Sequence, residues 1–359
     1  MNVRSAFIFF AFVTAVCAEE LPRKSKSPRE SYPNLDVIYD LVTMPDGKRL
    51  RSIITKPRGA KGKLPVIFLA GWLSCDSVEA PADTKDATAL ILRGLAQTPG
   101  FCLFKVDKPG CGDSEGDCSQ TDFETELAGY RAAFRALKNY DFIDSDRVYI
   151  FGSSNGGGFA PLVPETDAER MQVCGYVTLG GWVKTWFEHM LDIERRRFAL
   201  RKKLPAEVTD RIKGATTLYY EWLIKGRTVP EIVEKPDLAE LWPEGRDQMH
   251  LYGRPLKFYE DLQRLNLAAA WSRVKVPALI LHGQYDWIMS REDSELIAQI
   301  VNANVPGAAR FLEVPDTGHG GQHYLSMADA FAGKRAPFDP KIIRTITDWL
   351  EQQQKKSAG

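Results

Sequence analysis

The residues GSSNG, Gly152 to Gly156, contain a serine whose hydroxyl could act as a nucleophile. They follow the apolar run VYIF and precede two more glycines, so a strand, a tight turn and a helix start are predicted in succession. In such an elbow the residues two before and two after the nucleophile must lack side chains, because they approach neighbouring backbone. This spacing selects Ser154 over Ser153, since the residue two before Ser153 is Phe151.

A serine hydroxyl at neutral pH needs an adjacent base, and that base needs an orienting carboxylate. His319 lies between glycines just after the predicted strand ARFLEVP, and it is preferred over His323 because a strand-end loop can carry it to the nucleophile. Asp286, a few residues after the apolar run LILHG, is the candidate acid. Each candidate follows its own predicted strand, at the sheet edge where open α/β sheets bind ligands.

Attack of a serine on a carbonyl creates an oxyanion that needs two N–H donors. One donor is predicted to be the backbone N–H of Asn155, directly after the nucleophile. The other is expected in the loop after the apolar strand LPVIFLAG, where Gly71 gives the backbone freedom to aim the next amide. We therefore predict Trp72 as the second donor, with Leu73 as the alternative.

The elements that must position these residues form an alternating pattern of apolar strands and amphipathic helices. Such alternation predicts an α/β fold with a mostly parallel sheet covered by helices on both faces. An antiparallel hairpin is predicted first, with its turn at Pro45-Asp46-Gly47. The core is predicted to comprise residues 34–181 and 272–359, because the strand pattern stops at 182 and resumes after 271.

Residues 182–271 lack strand patterns and are rich in aromatic and charged residues, so they are predicted to form a helical cap over the edge of the sheet. Trp182 and Trp186, at the start of this cap, are the candidate substrate-binding residues because aromatic side chains commonly line small-molecule pockets. Aromatic residues at helical spacing are also typical of a packed core, which is the alternative interpretation for both.

The N-terminal residues are predicted to lie outside the fold. Residues 1–18 have a basic start, an apolar run and small residues before position 18, which is typical of a cleaved signal peptide. Residues 19–33 are polar and charged and are predicted to be a flexible leader. No other segment is long and apolar enough to span a membrane, so a mature protein that is secreted or periplasmic is expected.

Charge and cysteine content restrict the partners and the covalent links. The 47 basic and 47 acidic residues balance, which gives no electrostatic reason to expect binding to nucleic acid. A disulfide between Cys111 and Cys118 is predicted because both lie in one glycine-rich loop, and Cys75 could compete for either partner. Cys102 and Cys174 are predicted to be buried thiols. No cysteine pair has the spacing of a metal site, and no metal is predicted.

Four motifs together resemble those of serine hydrolases with the α/β-hydrolase fold: GSSNG, LHGQYD, TGH and the loop VDKPGCGDSEG. The order Ser154, Asp286, His319 is the order of that fold. Many members have a histidine before the glycine of the oxyanion loop, and here that position is Ala70. The resemblance implies acyl transfer without a metal or organic cofactor, and it implies that the cap shapes substrate choice.

The fold hosts several reactions, so three functions are compared. An esterase acting on small carboxylic esters is the leading hypothesis. A serine peptidase or aminopeptidase is the second, in which Glu188, Glu194 or Glu221 of the cap would hold a substrate ammonium group. A non-catalytic binding protein is the third, and the intact set of catalytic residue types argues against it. No oligomeric state is predicted.

Overall fold

The computed structural model describes residues 20–242 and 247–358. The predicted signal peptide lies outside these residues. Within the described part of the chain, no helix combines the length and the apolar character that crossing a bilayer requires.

One sheet of eight strands dominates the described chain, in the order β1-β2-β4-β3-β5-β6-β9-β10. The first three strands in this order pair antiparallel and the others pair parallel, as predicted. The strands β7 and β8 form a separate two-residue hairpin. The strands are β1 (Leu35–Thr43), β2 (Arg49–Pro57), β3 (Leu64–Ala70), β4 (Cys102–Val106), β5 (Ile143–Ser153), β6 (Val173–Leu179), β7 (His250–Leu251), β8 (Arg254–Pro255), β9 (Ala278–Gly283) and β10 (Ala309–Val314).

Helices connect the parallel strands and form the cap. Those of the core are α1 (Ala87–Ala96), α2 (Phe123–Ala136), α3 (Asn155–Phe159), α4 (Asp167–Met171), α11 (Arg291–Asn304), α12 (Met327–Phe331) and α13 (Lys341–Ala358). Those between β6 and β9 are α5 (Trp186–Leu200), α6 (Pro205–Tyr219), α7 (Val229–Ile232), α8 (Pro236–Ala239), α9 (Leu256–Arg264) and α10 (Leu267–Trp271). A π-helical segment, Tyr220–Ile224, directly continues α6.

The sheet is buried on both faces, and each strand supplies side chains to both. On β3, Ile67 packs with α1 and α13 on one side, whereas the next residue, Phe68, packs with α2 on the other. This alternation follows from the two-residue period of a strand. Because both faces are covered, the parallel strands are almost continuously apolar, and this is why they could be recognised in the sequence.

The structure corrects the prediction that the leader is flexible. Residues 20–33 form no helix or strand, but Glu30 is buried and accepts hydrogen bonds from Lys105 on β4 and from the Ala80 amide. Arg23 forms an ion pair with Glu79 at 3.0 Å. A charged composition indicated disorder, but the partners of these charges are buried groups of the core that sequence alone does not reveal.

The predicted pairing of Cys111 with Cys118 is wrong, because Cys118 is bonded to Cys75. The Cα atoms of the bonded pair lie 5.9 Å apart. Cys111 is a buried thiol whose sulfur lies within 4.8 Å of both disulfide sulfurs. The loop after β3 brings Cys75 to this position from 43 residues away, so proximity in sequence indicated the wrong partner. Cys102 is buried as predicted, whereas Cys174 is only partly buried.

Removal of this disulfide is expected to destabilise the fold. The pair Cys75 and Cys118 closes a loop of 43 residues, for which a loss of about 2–4 kcal/mol in the free energy of unfolding is typical. The free energy of unfolding is compared by urea denaturation between Cys111→Ser and Cys75→Ser/Cys111→Ser. Both variants carry Cys111→Ser so that Cys118 cannot pair with Cys111 when Cys75 is absent. Equal stability of the two variants would contradict the assigned pairing.

Candidate active site

The turn after β5 holds Ser154 in a strained backbone conformation, with φ 57° and ψ −120°. Its N–H donates to the carbonyl of Leu179 on β6 at 2.9 Å, which fixes the turn against the sheet. A Cβ atom added at Gly156 would lie 2.1 Å from the carbonyl oxygen of Ala70. The close approach that the spacing predicted is therefore present, and the hydroxyl of Ser154 lies above the carboxyl ends of the strands.

The structure brings the three predicted residues together in one hydrogen-bonded chain. Nε2 of His319 lies 2.9 Å from the hydroxyl of Ser154, and Nδ1 of the same ring lies 2.7 Å from Oδ2 of Asp286. With the proton on Nδ1, the ring donates to Asp286 and accepts from Ser154. The alternative base, His323, makes neither contact among the described residues. Its backbone N–H donates to the carbonyl of Pro337.

Asp286 is fixed by backbone amides on the side away from His319. Its Oδ1 accepts hydrogen bonds from the N–H groups of Ile288 and Met289, both at 2.9 Å. The same loop is joined to the loop of His319, because the N–H of Tyr285 donates to the carbonyl of Thr317 at 2.8 Å. The acid and the base therefore hold a fixed relative position.

An arginine of the cap also holds the loop that carries Asp286. Arg196 on α5 donates to the carbonyls of Trp287 and Ile288, at 2.9 and 2.8 Å. Sequence reasoning did not identify this residue, since it lies in a charged run that also fits a solvated helix face. The contact couples the position of the cap to the loop that carries Asp286.

The electrostatics suit a base that carries a proton during the reaction. Burial by itself would lower the pKa of His319, but the charge of Asp286 and its hydrogen bond outweigh burial and raise it above the usual value. Burial would likewise raise the pKa of Asp286, but the charge and hydrogen bond of His319 and the Met289 amide lower it. Asp286 is therefore ionised at neutral pH and stabilises the imidazolium form of His319.

The predicted oxyanion donors lie beside Ser154 on two different loops. Asn155 begins α3, directly after the elbow, and Trp72 follows β3. In the described residues neither backbone N–H donates to another protein group. The amide before Trp72, that of Gly71, donates to the hydroxyl of the buried Tyr130 at 3.0 Å. An amide without an internal acceptor is what an oxyanion site requires.

A cavity of about 670 Å³ opens above Ser154 between the cap and the core. This volume lies within the usual range for small-molecule pockets. Helix α5 contributes one face of about three turns to its wall, through Trp186, His189, Met190, Ile193, Glu194 and Arg197. Further apolar wall residues come from the core, among them Trp72, Leu92, Leu179 and Trp287. The site is therefore a mainly apolar pocket with the hydroxyl of Ser154 on its floor.

A model described as the alpha/beta hydrolase family matches residues 66–334, which is well over half of the chain. The chain belongs to the alpha/beta hydrolase family. The matched region includes the elbow, both loops that carry Asp286 and His319, and the whole segment between β6 and β9. No curated protein sequence matches the chain.

Three solved structures are similar in fold to this chain. Est1E of Butyrivibrio proteoclasticus with ferulic acid bound has a TM-score of 0.56 and 16% identity, over 88% of this chain and 99% of that chain. An esterase of Pyrococcus furiosus has a TM-score of 0.52 and 14% identity, over 93% and 98%. An esterase domain of Rhodothermus marinus has a TM-score of 0.50 and 16% identity, over 88% and 98%. At these identities the likeness shows the fold alone.

The two tryptophans predicted to bind substrate have different positions in this alpha/beta hydrolase. Trp186 lies in the cavity wall, as predicted. Trp182 does not, because it is fully buried and its Nε1 donates to Oδ1 of Asn155 at 2.9 Å. The alternative interpretation of core packing is therefore correct for Trp182, which holds the side chain of the residue after the nucleophile.

Two residues next to the catalytic groups were not identified from the sequence. His189 lies in the cavity wall, and its burial, together with the charge of Arg196, lowers its pKa to about 3, so its ring is neutral. Gly180 has φ 64°, and a Cβ atom there would lie 2.9 Å from Oδ2 of Asp286. The GG pair after β6 could have indicated a close approach, but its partner is visible only in the fold.

Proposed function

We propose that this alpha/beta hydrolase is an exported serine hydrolase that cleaves carboxylic esters through an acyl-enzyme on Ser154. The observation that carries the proposal is the hydrogen-bonded chain from Ser154 through His319 to Asp286 at the floor of the cavity. The esterases among the similar structures agree with this proposal at the level of fold.

The reaction follows from the roles that the geometry allows. His319 takes the proton of Ser154 as its oxygen attacks the ester carbonyl, and the N–H groups of Trp72 and Asn155 stabilise the resulting oxyanion. The imidazolium then gives its proton to the leaving alkoxide, which departs as an alcohol and leaves an acyl-enzyme. Water, deprotonated by the same ring, releases the carboxylic acid and restores Ser154.

The cap carboxylates do not support the aminopeptidase alternative. Glu188 caps α5 by accepting hydrogen bonds from the backbone and hydroxyl of Thr185. Glu194 accepts a hydrogen bond from Arg197 at 2.6 Å, and Glu221 forms an ion pair with a neighbouring arginine. Each of these three cap carboxylates already has a partner within the protein, which favours an ester as the substrate.

Export is supported by the N-terminal sequence pattern and by the disulfide between Cys75 and Cys118. Disulfides persist mainly in oxidising compartments. We therefore propose a secreted or periplasmic location.

Esters with a large apolar group are the expected substrates. Burial of each methylene group contributes about 0.8 kcal/mol, and the cavity of about 670 Å³ has room for more than an acetyl group. We expect kcat/KM for p-nitrophenyl octanoate to exceed that for the acetate by at least about tenfold. Aminoacyl p-nitroanilides should be cleaved more slowly than either ester.

A side-by-side assay of the two esters and leucine p-nitroanilide provides the test. Because ferulic acid is bound in a structure of Est1E, a ferulate ester is a useful fourth substrate. Faster cleavage of the anilide than of the esters would contradict the proposed function and favour a peptidase.

A further inference from the structure

Lys108, in the loop after β4, is buried and bonds only to backbone. Its side chain is 3% exposed. Its Nζ donates to three consecutive carbonyls, those of Trp72 at 2.7 Å, Leu73 at 3.4 Å and Ser74. An ammonium group has three donors, so these carbonyls use its full capacity. They belong to the loop that supplies an oxyanion donor.

No ion pair compensates for the burial of this charge. Within the described chain no carboxylate contacts Nζ of Lys108, and Glu126, the acidic side chain that most affects Lys108, is paired with Arg254. Burial lowers the pKa of Lys108. Placing an unpaired ammonium in the interior is costly unless its hydrogen bonds are satisfied. The carbonyls of residues 72–74 are therefore the reason that a lysine can be buried there.

The bonds of Lys108 fix the direction of backbone amides. A peptide group is planar and trans, so holding a carbonyl also fixes the N–H on the opposite side of the same group. Tyr130 holds the amide of Gly71, and Lys108 holds the carbonyl of Trp72. The amide of Trp72 lies between these two fixed points, and the amide of Leu73 belongs to the peptide group that Lys108 binds. Both candidate donors for the oxyanion are thus held by one pair of side chains.

The disulfide independently restrains the far end of the same loop. Cys75, directly after the last carbonyl bound by Lys108, is bonded to Cys118. The loop from Gly71 to Cys75 is therefore held at its start by Tyr130, at its middle by Lys108 and at its end by a covalent bond. Oxyanion stabilisation depends on donors that are in place before charge develops. Lys108 also polarises the peptide group that joins Trp72 to Leu73, which strengthens the N–H donor of Leu73.

We propose that Lys108 is a positioning residue for the oxyanion hole, which holds the carbonyls of residues 72–74 and so directs the N–H groups of Trp72 and Leu73, the two candidate donors of this loop, towards the developing oxyanion. This inference rests on the proposed function of Ser154. It predicts an effect on the transition state and not on the binding of the ground-state ester.

The test is Lys108→Met, which keeps an unbranched apolar stem but removes the terminal ammonium group with its charge and all three donors. We expect kcat for p-nitrophenyl octanoate to fall about 10²-fold, the lower end of the loss of an oxyanion donor, with KM changed by less than about threefold. Inhibition by a trifluoromethyl ketone, which forms an oxyanion on the serine, should weaken in parallel with kcat/KM. Lys108→Gln, a smaller perturbation, should give an intermediate loss of kcat.

The matched control is Lys105→Met, on β4. Lys105 is also fully buried, but its Nζ binds Glu30 and the carbonyl of Val78 and none of the carbonyls of residues 72–74. This variant should lose thermal stability without a selective loss of kcat or of ketone affinity.

Two results would overturn the inference. The first is wild-type kcat in either Lys108 variant. The second is a loss of kcat and ketone affinity in folded Lys108→Met that is no greater than in Lys105→Met. If Lys108→Met does not fold, Lys108→Gln decides by the same criteria. A wild-type protein without ester hydrolysis and without ketone binding would instead refute the proposed function itself.

Discussion

Ser154→Ala is expected to abolish ester hydrolysis almost completely, with kcat lowered roughly 10⁶-fold, the loss typical of a catalytic unit that lacks its nucleophile. The hydroxyl of Ser154 is the group that contacts Nε2 of His319, at 2.9 Å. Alanine retains a Cβ atom, so the strained turn and the cavity above it are preserved. The quantity to measure is kcat for p-nitrophenyl octanoate at saturating substrate.

Ser153→Ala is the matched control for this substitution. Ser153 is the last residue of β5 and also borders the cavity, but in the described structure its hydroxyl does not contact His319. We expect it to retain activity within about tenfold, since the change removes one hydroxyl that makes no contact with His319 and leaves the rest of the site unchanged. Equal losses in the two variants would show that Ser154 is not the nucleophile.

Asp286→Asn is expected to lower kcat by about 10⁴-fold and to move the acidic limb of the pH profile to lower pH. The amide of asparagine cannot hold His319 in the tautomer that accepts the proton of Ser154, which accounts for the loss of rate. The shift has a separate cause. The base must be neutral, so kcat/KM rises with pH as His319 loses its proton, and in the wild type Asp286 raises the pKa of that ring.

Without the carboxylate only burial remains, and burial lowers the pKa of His319. The neutral base therefore persists to lower pH in the variant than in the wild type. Asp293→Asn is a suitable control, because Asp293 is a fully buried carboxylate that binds the amides of Val183 and Lys184 and not the imidazole. An acidic limb that stays in place, or moves to higher pH, in Asp286→Asn would contradict the assigned role.

The candidate catalytic residues could be selected because their sequence signals are local. The two glycines around Ser154 report a steric requirement of the elbow itself, and they select the candidate nucleophile without knowledge of any distant residue. Asp286 and His319 follow strands that are recognisable by their continuous apolar character, and parallel strands bring their carboxyl ends to one edge. The same reasoning predicted the sheet and the position of the cap in the chain.

The wrong or missing predictions concern contacts between segments that are far apart in sequence. Cys75 reaches Cys118 because the loop after β3 passes the loop after β4, and this passage has no local signal. Trp182 was predicted in the pocket, but whether an aromatic side chain faces a cavity or the backbone of Asn155 depends on the angle of the cap.

Buried charges were the hardest feature to predict. Lysines and glutamates favour solvent, so the charged composition around Glu30 predicted a flexible leader, and no feature of the sequence predicted that Lys108 is buried. Each is buried because a specific partner meets it: Lys105 for Glu30, and the carbonyls of residues 72–74 for Lys108. These partners follow from the order of strands in the sheet, which composition does not reveal.

Covalent labelling tests the central claim most directly. The purified protein is treated with a fluorophosphonate, digested and analysed by mass spectrometry to locate the adduct. We expect a single adduct on the peptide that contains Ser154, formed at a rate that falls at acidic pH as His319 becomes protonated. An adduct on another residue, or no adduct in a folded protein, would contradict the account.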